Sequence, residues 1–183
     1  MLNRTLLFVL VGSGLLVLAT YAATRALIIT QAPKAVMSKI QERIVQGVGG
    51  WNSCYHNQVY GPRKAAARRA NPDSIISSMA YDLSDGPVRI SGEIWPRYWS
   101  LSIYQQNSDN VFVINDRQLG TERFEFILAL EGQETSAMSG TPILSPTAKG
   151  IMLIRRFAAG PEDMPAILEN QNAMYCGPSA ETS

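Results

Sequence analysis

The sequence has few of the side chains on which most enzyme active sites depend. It contains one histidine, His56, and two cysteines, Cys54 and Cys176, which are too far apart to form a C-x-x-C pair. A histidine-rich zinc site is therefore excluded, and the cysteine spacing argues against a structural zinc. No G-x-S-x-G motif presents a nucleophile to His56, which we interpret as a loop residue. We predict no catalytic residue, no metal site and no cofactor.

Glycine-rich motifs that cradle phosphates or dinucleotides are also absent. Sixteen basic residues nearly balance fifteen acidic ones, and the formal net charge is +1. A nucleic-acid-binding domain usually carries a marked basic excess. The charge balance therefore predicts no nucleic-acid partner.

Charge itself is missing between Arg4 and Arg25, where twenty consecutive residues carry no charged side chain. A helix of that length rises about 30 Å, the thickness of the bilayer's hydrocarbon core. The segment is either a retained anchor or a cleaved signal peptide. Residues 6–23 are longer than a usual signal core and no A-x-A triplet ends them, which favours the anchor. We predict an N-terminal membrane anchor (or signal peptide) over residues 1–30 that contacts the lipid bilayer through residues 5–24.

Basic residues lie on both sides of this segment, so the positive-inside rule does not decide its orientation. A short N-terminal tail followed by a long domain is typical of a signal anchor. We therefore expect a single-pass protein of the bacterial inner membrane with its soluble domain in the periplasm.

Residues 31–50 have the pattern of a separate amphipathic helix. Residues 31–34 interrupt the apolar pattern, and Pro33 suits the first turn of a new helix. Apolar residues then recur every four positions, at Val36, Ile40, Ile44 and Val48. This face predicts packing against the core, with a membrane-surface role as the alternative. A basic cluster at residues 63–69 follows, which we interpret as a solvated surface.

Residues 51–183 are predicted to form a single β-rich soluble domain. Six β-rich runs are separated by turn-forming residues, at 75–82, 88–95, 99–105, 111–114, 124–130 and 150–157. Short strands without crossover helices fit antiparallel sheets better than a parallel sheet. A final helix is expected from Pro161 toward Asn172. The predicted fold class is mainly β (β-rich α+β): an antiparallel β-sandwich-like domain with flanking helices, behind one N-terminal transmembrane helix.

An aromatic and Asx-rich strand region supplies the candidate ligand- or partner-binding residues. In strand alternation, Trp99, Leu101 and Ile103 share one face, which is expected to be buried. The Asn and Asp residues lack the spacing of a calcium-binding EF-hand loop, and turn formation explains them more simply. The candidate residues are Tyr81, Trp99, Tyr104, Asn107, Asp109, Asn110, Asn115, Asp116 and Arg117.

The two cysteines admit two interpretations. A pair of cysteines outside the cytoplasm is compatible with a disulfide between Cys54 and Cys176, which would close a long loop. Two cysteines are too few for a disulfide framework, so two free, partly buried thiols are the alternative.

Three segments resemble a bacterial domain-of-unknown-function family, the one numbered 1254, to which the family numbered 1214 is related. They are SIISSMAYDLSDGPVRIS at residues 74–91, RYWSLSIY at 97–104 and DNVFVINDR at 109–117. The resemblance implies a β-rich domain, often membrane-anchored or exported, with no settled activity. Short members resemble half of a longer two-part architecture, which implies a companion protein of the related family. Relatives tend to carry a cysteine where this chain has Met79, so the resemblance leaves the partner of Cys176 open.

Two hypotheses of function follow. The first is a non-catalytic binding or interaction module of the cell envelope, because an anchor precedes a domain that lacks catalytic motifs. The second is an enzyme that acts on an envelope lipid or glycan through Asp116, Arg117, Tyr104 or His56.

Overall fold

The structure is a computed structural model that describes residues 3–61, 71 and 73–179. The basic cluster at residues 63–69 lies outside the described residues. Within them, one long helix, α1 (Arg4–Val48), precedes two β-sheets that pack face to face. Helix α1 is long and apolar enough to cross a membrane.

The first sheet, sheet A, has five antiparallel strands. In spatial order they are β1 (Cys54–His56), β2 (Ser74–Asp82), β8 (Lys149–Phe157), β4 (Trp99–Gln105) and β5 (Asn110–Asn115). The second, sheet B, has four strands: β7 (Thr141–Ser145), β6 (Arg123–Leu130), β3 (Val88–Glu93) and β9 (Tyr175–Pro178). In sheet B, β6 and β7 run parallel and the other pairs are antiparallel.

Three further helical elements flank the sheets. The short helix α2 (Asp116–Leu119) follows β5, and a 3₁₀ turn (Pro161–Asp163) leads into helix α3 (Met164–Asn172). All six β-rich runs of the sequence form strands, and the β-rich fold class is confirmed. Strands β1, β7 and β9 were not predicted from the sequence, because each is short and lies at a sheet edge.

The hydrophobic core lies between the inner faces of the two sheets. On β4, Trp99, Leu101 and Ile103 are fully buried, as the strand alternation predicts. They pack in one cluster with Phe124 and Phe126 of sheet B, and the rings of Trp99 and Phe124 are 4.9 Å apart. Burial of these large aromatic and aliphatic side chains is the main source of stability.

The predicted helix break at residues 31–34 is wrong, because α1 runs unbroken through Pro33. Proline removes one backbone hydrogen bond from a helix, and tertiary contacts can offset that loss. Here the residues after Pro33 are docked on the β-domain: Met37, Gln41 and Ile44 are buried. Gln41 donates through Nε2 to Gln106 Oε1 at 2.8 Å.

The docked face of α1 also differs from the predicted one. Val36 and Ile40 remain 56% and 36% exposed, whereas Met37 and Gln41 are buried. Successive residues of an α-helix are about 100° apart, so a repeat of four drifts by about 40° at each step. Val36 and Ile44 therefore point about 80° apart. Contacts with sheet A select the stripe that contains Ile44 but not Val36.

Cys54 of β1 and Cys176 of β9 form a disulfide, with their Cα atoms 5.6 Å apart. The bond joins the edge strand of sheet A to the edge strand of sheet B. It closes a loop with a sequence separation of 122 residues.

Candidate functional site

An open groove of about 610 Å³ lies at one end of the sandwich, between the loop after β3 and the segment around α2. We call it the end groove, and its main lining residues are Glu93, Trp95, Asp116, Glu122 and Arg123. A second depression of about 440 Å³ lies on the other side of the same loop, against α3.

The loop between the two cavities is held by its own hydrogen bonds. The indole nitrogen of Trp95 donates to the Phe157 carbonyl at 2.8 Å, and the Ile94 amide donates to the Glu122 carbonyl at 2.8 Å. The Trp95 side chain is almost fully buried. The groove therefore has a fixed apolar wall.

Asp116 reaches the groove because a short capped helix follows β5. The side chain of Asn115 accepts from the Arg117 amide at 3.0 Å, and the Asn115 amide donates to Gln118 Oε1 at 3.0 Å. Gly120 ends the helix in the left-handed conformation, with φ of 62°. Asp116 Oδ1 accepts from the Trp99 amide at 3.4 Å, which ties the helix to the start of β4.

The groove carries an excess of negative charge. Arg123 and Glu93 form an exposed ion pair at 3.2 Å. Asp116 and Glu122 form no ion pair within the described part of the chain. The groove therefore suits a ligand or partner that brings a basic group and some apolar surface. Of these residues only Asp116 is a sequence candidate; Trp95 and Glu93 fall in the β-rich run 88–95, which carries no signal of a site.

A buried polar cluster lies behind the second depression, around Arg156. Its guanidinium is fully buried and donates to Asn170 Oδ1 at 2.5 Å, Ser77 Oγ at 2.8 Å and Met174 Sδ at 2.6 Å. Burial lowers the pKa of Arg156 to about 10. No carboxylate of the described residues lies within ion-pair distance of it. Because its partners lie on β2 and at the C-terminal end of α3, Arg156 docks that end of α3 onto sheet A.

The interpretation of His56 as a loop residue is wrong, because it lies in β1. Its Nδ1 is 2.9 Å from Ser77 Oγ. Burial and, to a lesser degree, the charge of Arg156 lower the pKa of His56 below 6.5. His56 therefore belongs to the polar cluster that holds β1, β2 and α3 together.

Two of the candidate binding residues are core residues. Tyr81 and Trp99 are fully buried, so neither presents a surface to a ligand or partner. The Tyr81 hydroxyl lies 3.1 Å from both the Tyr104 carbonyl and Ser145 Oγ. The alternation of side chains along a strand shows which residues share a face of the sheet. It does not show whether an aromatic residue on that face lies in the core or at a binding surface.

The remaining candidates lie at opposite ends of β4 and β5. Asn107 and Asp109 lie in the β4–β5 turn and Asn110 begins β5; Asp109 accepts from Asn107 Nδ2 at 2.7 Å. Asn115, Asp116 and Arg117 follow the other end of β5. Since β5 is six residues long, the two groups are about 20 Å apart. They do not form one site.

Tyr104 has a separate environment on the outer face of sheet A. Burial raises the pKa of Tyr104, but the hydrogen bond and charge of Arg155 outweigh it and lower the pKa overall. Arg155 also donates to Ser102 Oγ at 3.3 Å. Tyr104, Asp116 and His56 lie in three different places, so they do not assemble a catalytic site. Within the described residues, no three His, Cys, Asp or Glu side chains are grouped to hold a metal ion.

The sequence profile of one family, described as "Protein of unknown function (DUF1254)", matches residues 51–178. The chain belongs to this family. The match covers both sheets and the end groove, and the helical segment before residue 51 precedes it. This member of the DUF1254 family is therefore a β-rich domain of unknown function behind a helix that is long and apolar enough to span a membrane.

Two solved structures match this chain. The VPA0106 protein from Vibrio parahaemolyticus is 15% identical with a TM-score of 0.66, and the match covers 84% of this chain and 36% of that one. A putative uncharacterized protein from Burkholderia cenocepacia is 11% identical with a TM-score of 0.47, over 86% of this chain and 40% of that one. No curated protein matches the chain. The chain thus spans little more than a third of the length of the Vibrio protein.

Proposed function

We propose that this DUF1254 protein is a non-catalytic binding domain, anchored in the bacterial inner membrane by α1, with its folded part in the periplasm. Its partner is a companion protein of the related family, bound at the end groove. The observation that carries the proposal is the single helix that is apolar over its N-terminal half and docked on the β-domain over its C-terminal half.

The disulfide supports the periplasmic side. A bond between Cys54 and Cys176 persists in an oxidising compartment, whereas cytoplasmic thiols are kept reduced. Protease added to spheroplasts should therefore degrade the β-domain of the full chain. If the β-domain is degraded only after the inner membrane has been lysed, the periplasmic placement is wrong.

The length of the Vibrio protein supports a companion. Its fold includes the unit described for this chain in 36% of its length, so the unit occurs there beside a larger remainder. The proposed companion corresponds to that remainder. The end groove has an apolar wall at Trp95, and Asp116 and Glu122 form no ion pair with any described residue, as expected for a surface that receives a basic segment.

Charge reversal in the groove tests this binding role. We expect Glu122→Lys to reduce co-purification of the companion from gently solubilised membranes severalfold, because it replaces an attraction by a repulsion. Asp85→Lys is the matched control, since Asp85 is also an exposed acidic residue but lies in the turn before β3. Equal recovery by the two variants would place the interaction elsewhere, and recovery of no protein above background would contradict the binding role.

A further inference from the structure

Helix α1 crosses the strands of sheet A from one edge toward the other. About two-thirds of the way along it, the Pro33 carbonyl accepts from Ser108 Oγ at 3.4 Å, and Ser38 Oγ accepts from Gln106 Nε2 at 3.1 Å, so the helix touches the β4–β5 turn. Further along, Ile44 packs in one cluster with Ala80 of β2 and Ile151 of β8.

At the far edge, Gly47 lies against the ring of Tyr55 in β1, so close that an added Cβ would be 2.9 Å from Tyr55 Cδ2. From β5 to β1 is four strand spacings, or about 19 Å. The helix rises about 21 Å from Pro33 to Gly47. The helix therefore spans about the width of sheet A, from the β4–β5 turn at one end of the strands to β1 at the far edge.

The edge strands of sheet B lie beside the edge strands of sheet A. Strand β7 contacts β5, and β9 is joined to β1 by the disulfide. The sandwich therefore has a β5/β7 side, nearer to Pro33 of α1, and a β1/β9 side, near the C-terminal end of α1.

The apolar part of α1 ends close to the β5/β7 side. Leu27, Ile28 and Ile29 are exposed, and Lys34 is the next charged residue after Arg25. The long side chain of an arginine near the end of a span can extend to the interface. Residues 6–29 rise about 36 Å, enough to cross a hydrocarbon core of about 30 Å with some tilt.

We propose that the β5/β7 side of the sandwich rests on the lipid headgroups, with the β1/β9 side and its disulfide pointing away from the membrane. This inference rests on the membrane anchoring proposed above. By helix rise, the contact of Pro33 with the β4–β5 turn lies about 6 Å beyond Ile29, and the contact of Gly47 with β1 about 27 Å beyond it. The headgroup layer is about 5–8 Å thick on each side of the bilayer.

Two apolar side chains stand on the membrane-facing side. Val113 of β5 is 60% exposed and Leu144 of β7 is 50% exposed. Both are on edge strands, whose unpaired backbone groups would otherwise invite pairing with another chain. Contact with the headgroups covers this edge, and the polar headgroups provide hydrogen-bond partners for the unpaired backbone groups of the edge strands.

Lipid photocrosslinking tests the orientation. The full chain, with its disulfide intact, would carry p-benzoylphenylalanine in place of Val113, Leu144 or Tyr55 and be reconstituted in phosphatidylcholine vesicles. Tyr55 is the matched control, because it is an exposed edge-strand residue on the β1/β9 side. After irradiation, mass spectrometry should find severalfold more lipid adduct at positions 113 and 144 than at position 55.

Equal adduct at the three positions, or more at position 55, would overturn the orientation. Flotation of the vesicles shows whether the protein is bound to the membrane. It therefore distinguishes a wrong orientation from a failure of the anchor. Protein that floats with the vesicles but shows no preference for positions 113 and 144 contradicts only the orientation. Protein that does not float contradicts the anchor and, with it, the orientation.

Discussion

Ser77 sets the protonation of the only histidine. Its hydroxyl oxygen receives hydrogen bonds from Arg156 Nη1 at 2.8 Å and Gln171 Nε2 at 3.2 Å. The remaining hydroxyl proton therefore points to His56 Nδ1, 2.9 Å away, which must accept it. This assignment requires a neutral imidazole with its proton on Nε2. It agrees with the lowered pKa of His56.

Stability should consequently fall in mild acid. Below pH 6.5, the unfolded chain takes up a proton at His56 that the folded chain resists, so the free energy of unfolding decreases as the pH falls. Chemical denaturation of the full chain between about pH 7.5 and 5.5 measures this slope. His56→Asn should flatten it, because the amide oxygen can accept the Ser77 proton but does not titrate. The same slope in both proteins would contradict the assignment.

Gly150 has no side chain, and this leaves the space in which the Tyr81 side chain packs against β8. A Cβ at this position would be 2.1 Å from the Tyr104 carbonyl oxygen and 2.2 Å from the Tyr81 hydroxyl. We expect Gly150→Ala to lower the free energy of unfolding by about 1–3 kcal/mol, because backbone or core atoms must move. Gly50→Ala is the control, since no atom lies within 4 Å of its added Cβ, and it should change stability by less than about 0.5 kcal/mol. Similar losses in the two variants would show that the close packing is not the cause.

At the scale of elements, α1 combines two environments in one helix. Its N-terminal half is exposed and apolar, whereas Met37, Gln41 and Ile44 are buried against sheet A. The polar contacts of Ser38 and Gln41 with Gln106 fix the helix to the β4–β5 turn. The helix therefore acts as a continuous support between the apolar segment and the β-domain.

Loss of the docked face should destabilise the domain more than loss of the exposed face. Ile44→Ala removes a buried side chain from the contact with Ala80 and Ile151, and we expect a loss of about 2 kcal/mol or more. Ile40→Ala makes the same chemical change at a position that is 36% exposed and should cost less than about 1 kcal/mol. Denaturation curves of the two variants provide the comparison. A larger effect at Ile40 would mean that the docked face is assigned incorrectly.

At the scale of the whole molecule, the disulfide between Cys54 and Cys176 closes almost the complete β-domain. In the chain-entropy model, a loop of this length stabilises the folded state by about 4–5 kcal/mol. We expect Cys54→Ser with Cys176→Ser to lower the free energy of unfolding accordingly. Unreduced peptides of the membrane-bound protein should show the two cysteines linked. Two alkylatable thiols in that protein would contradict both the bond and the periplasmic placement that it supports.

Strand positions were predictable because their alternation is local. The run from Trp99 to Ile103 places every second side chain on one face wherever the strand lies, and the structure confirms that this face is buried. The end groove was not predictable in the same way. Glu93, Asp116 and Glu122 come from three segments that only the packing of sheet A on sheet B brings together. The docked face of α1 depended on contacts with β2 and β8, which an apolar repeat of four could not reveal.

The sequence by itself determined the uncharged N-terminal segment, the β-rich class of the domain and the poverty of catalytic side chains, because each follows from composition or short-range periodicity. Tertiary structure decided that Tyr81 and Trp99 belong to the core, that His56 joins a buried polar cluster, and that the β4–β5 turn contacts α1 just after its apolar segment. These depend on long-range pairing: the order of strands in a sheet and the path of a helix across them are set by the mutual burial of distant residues.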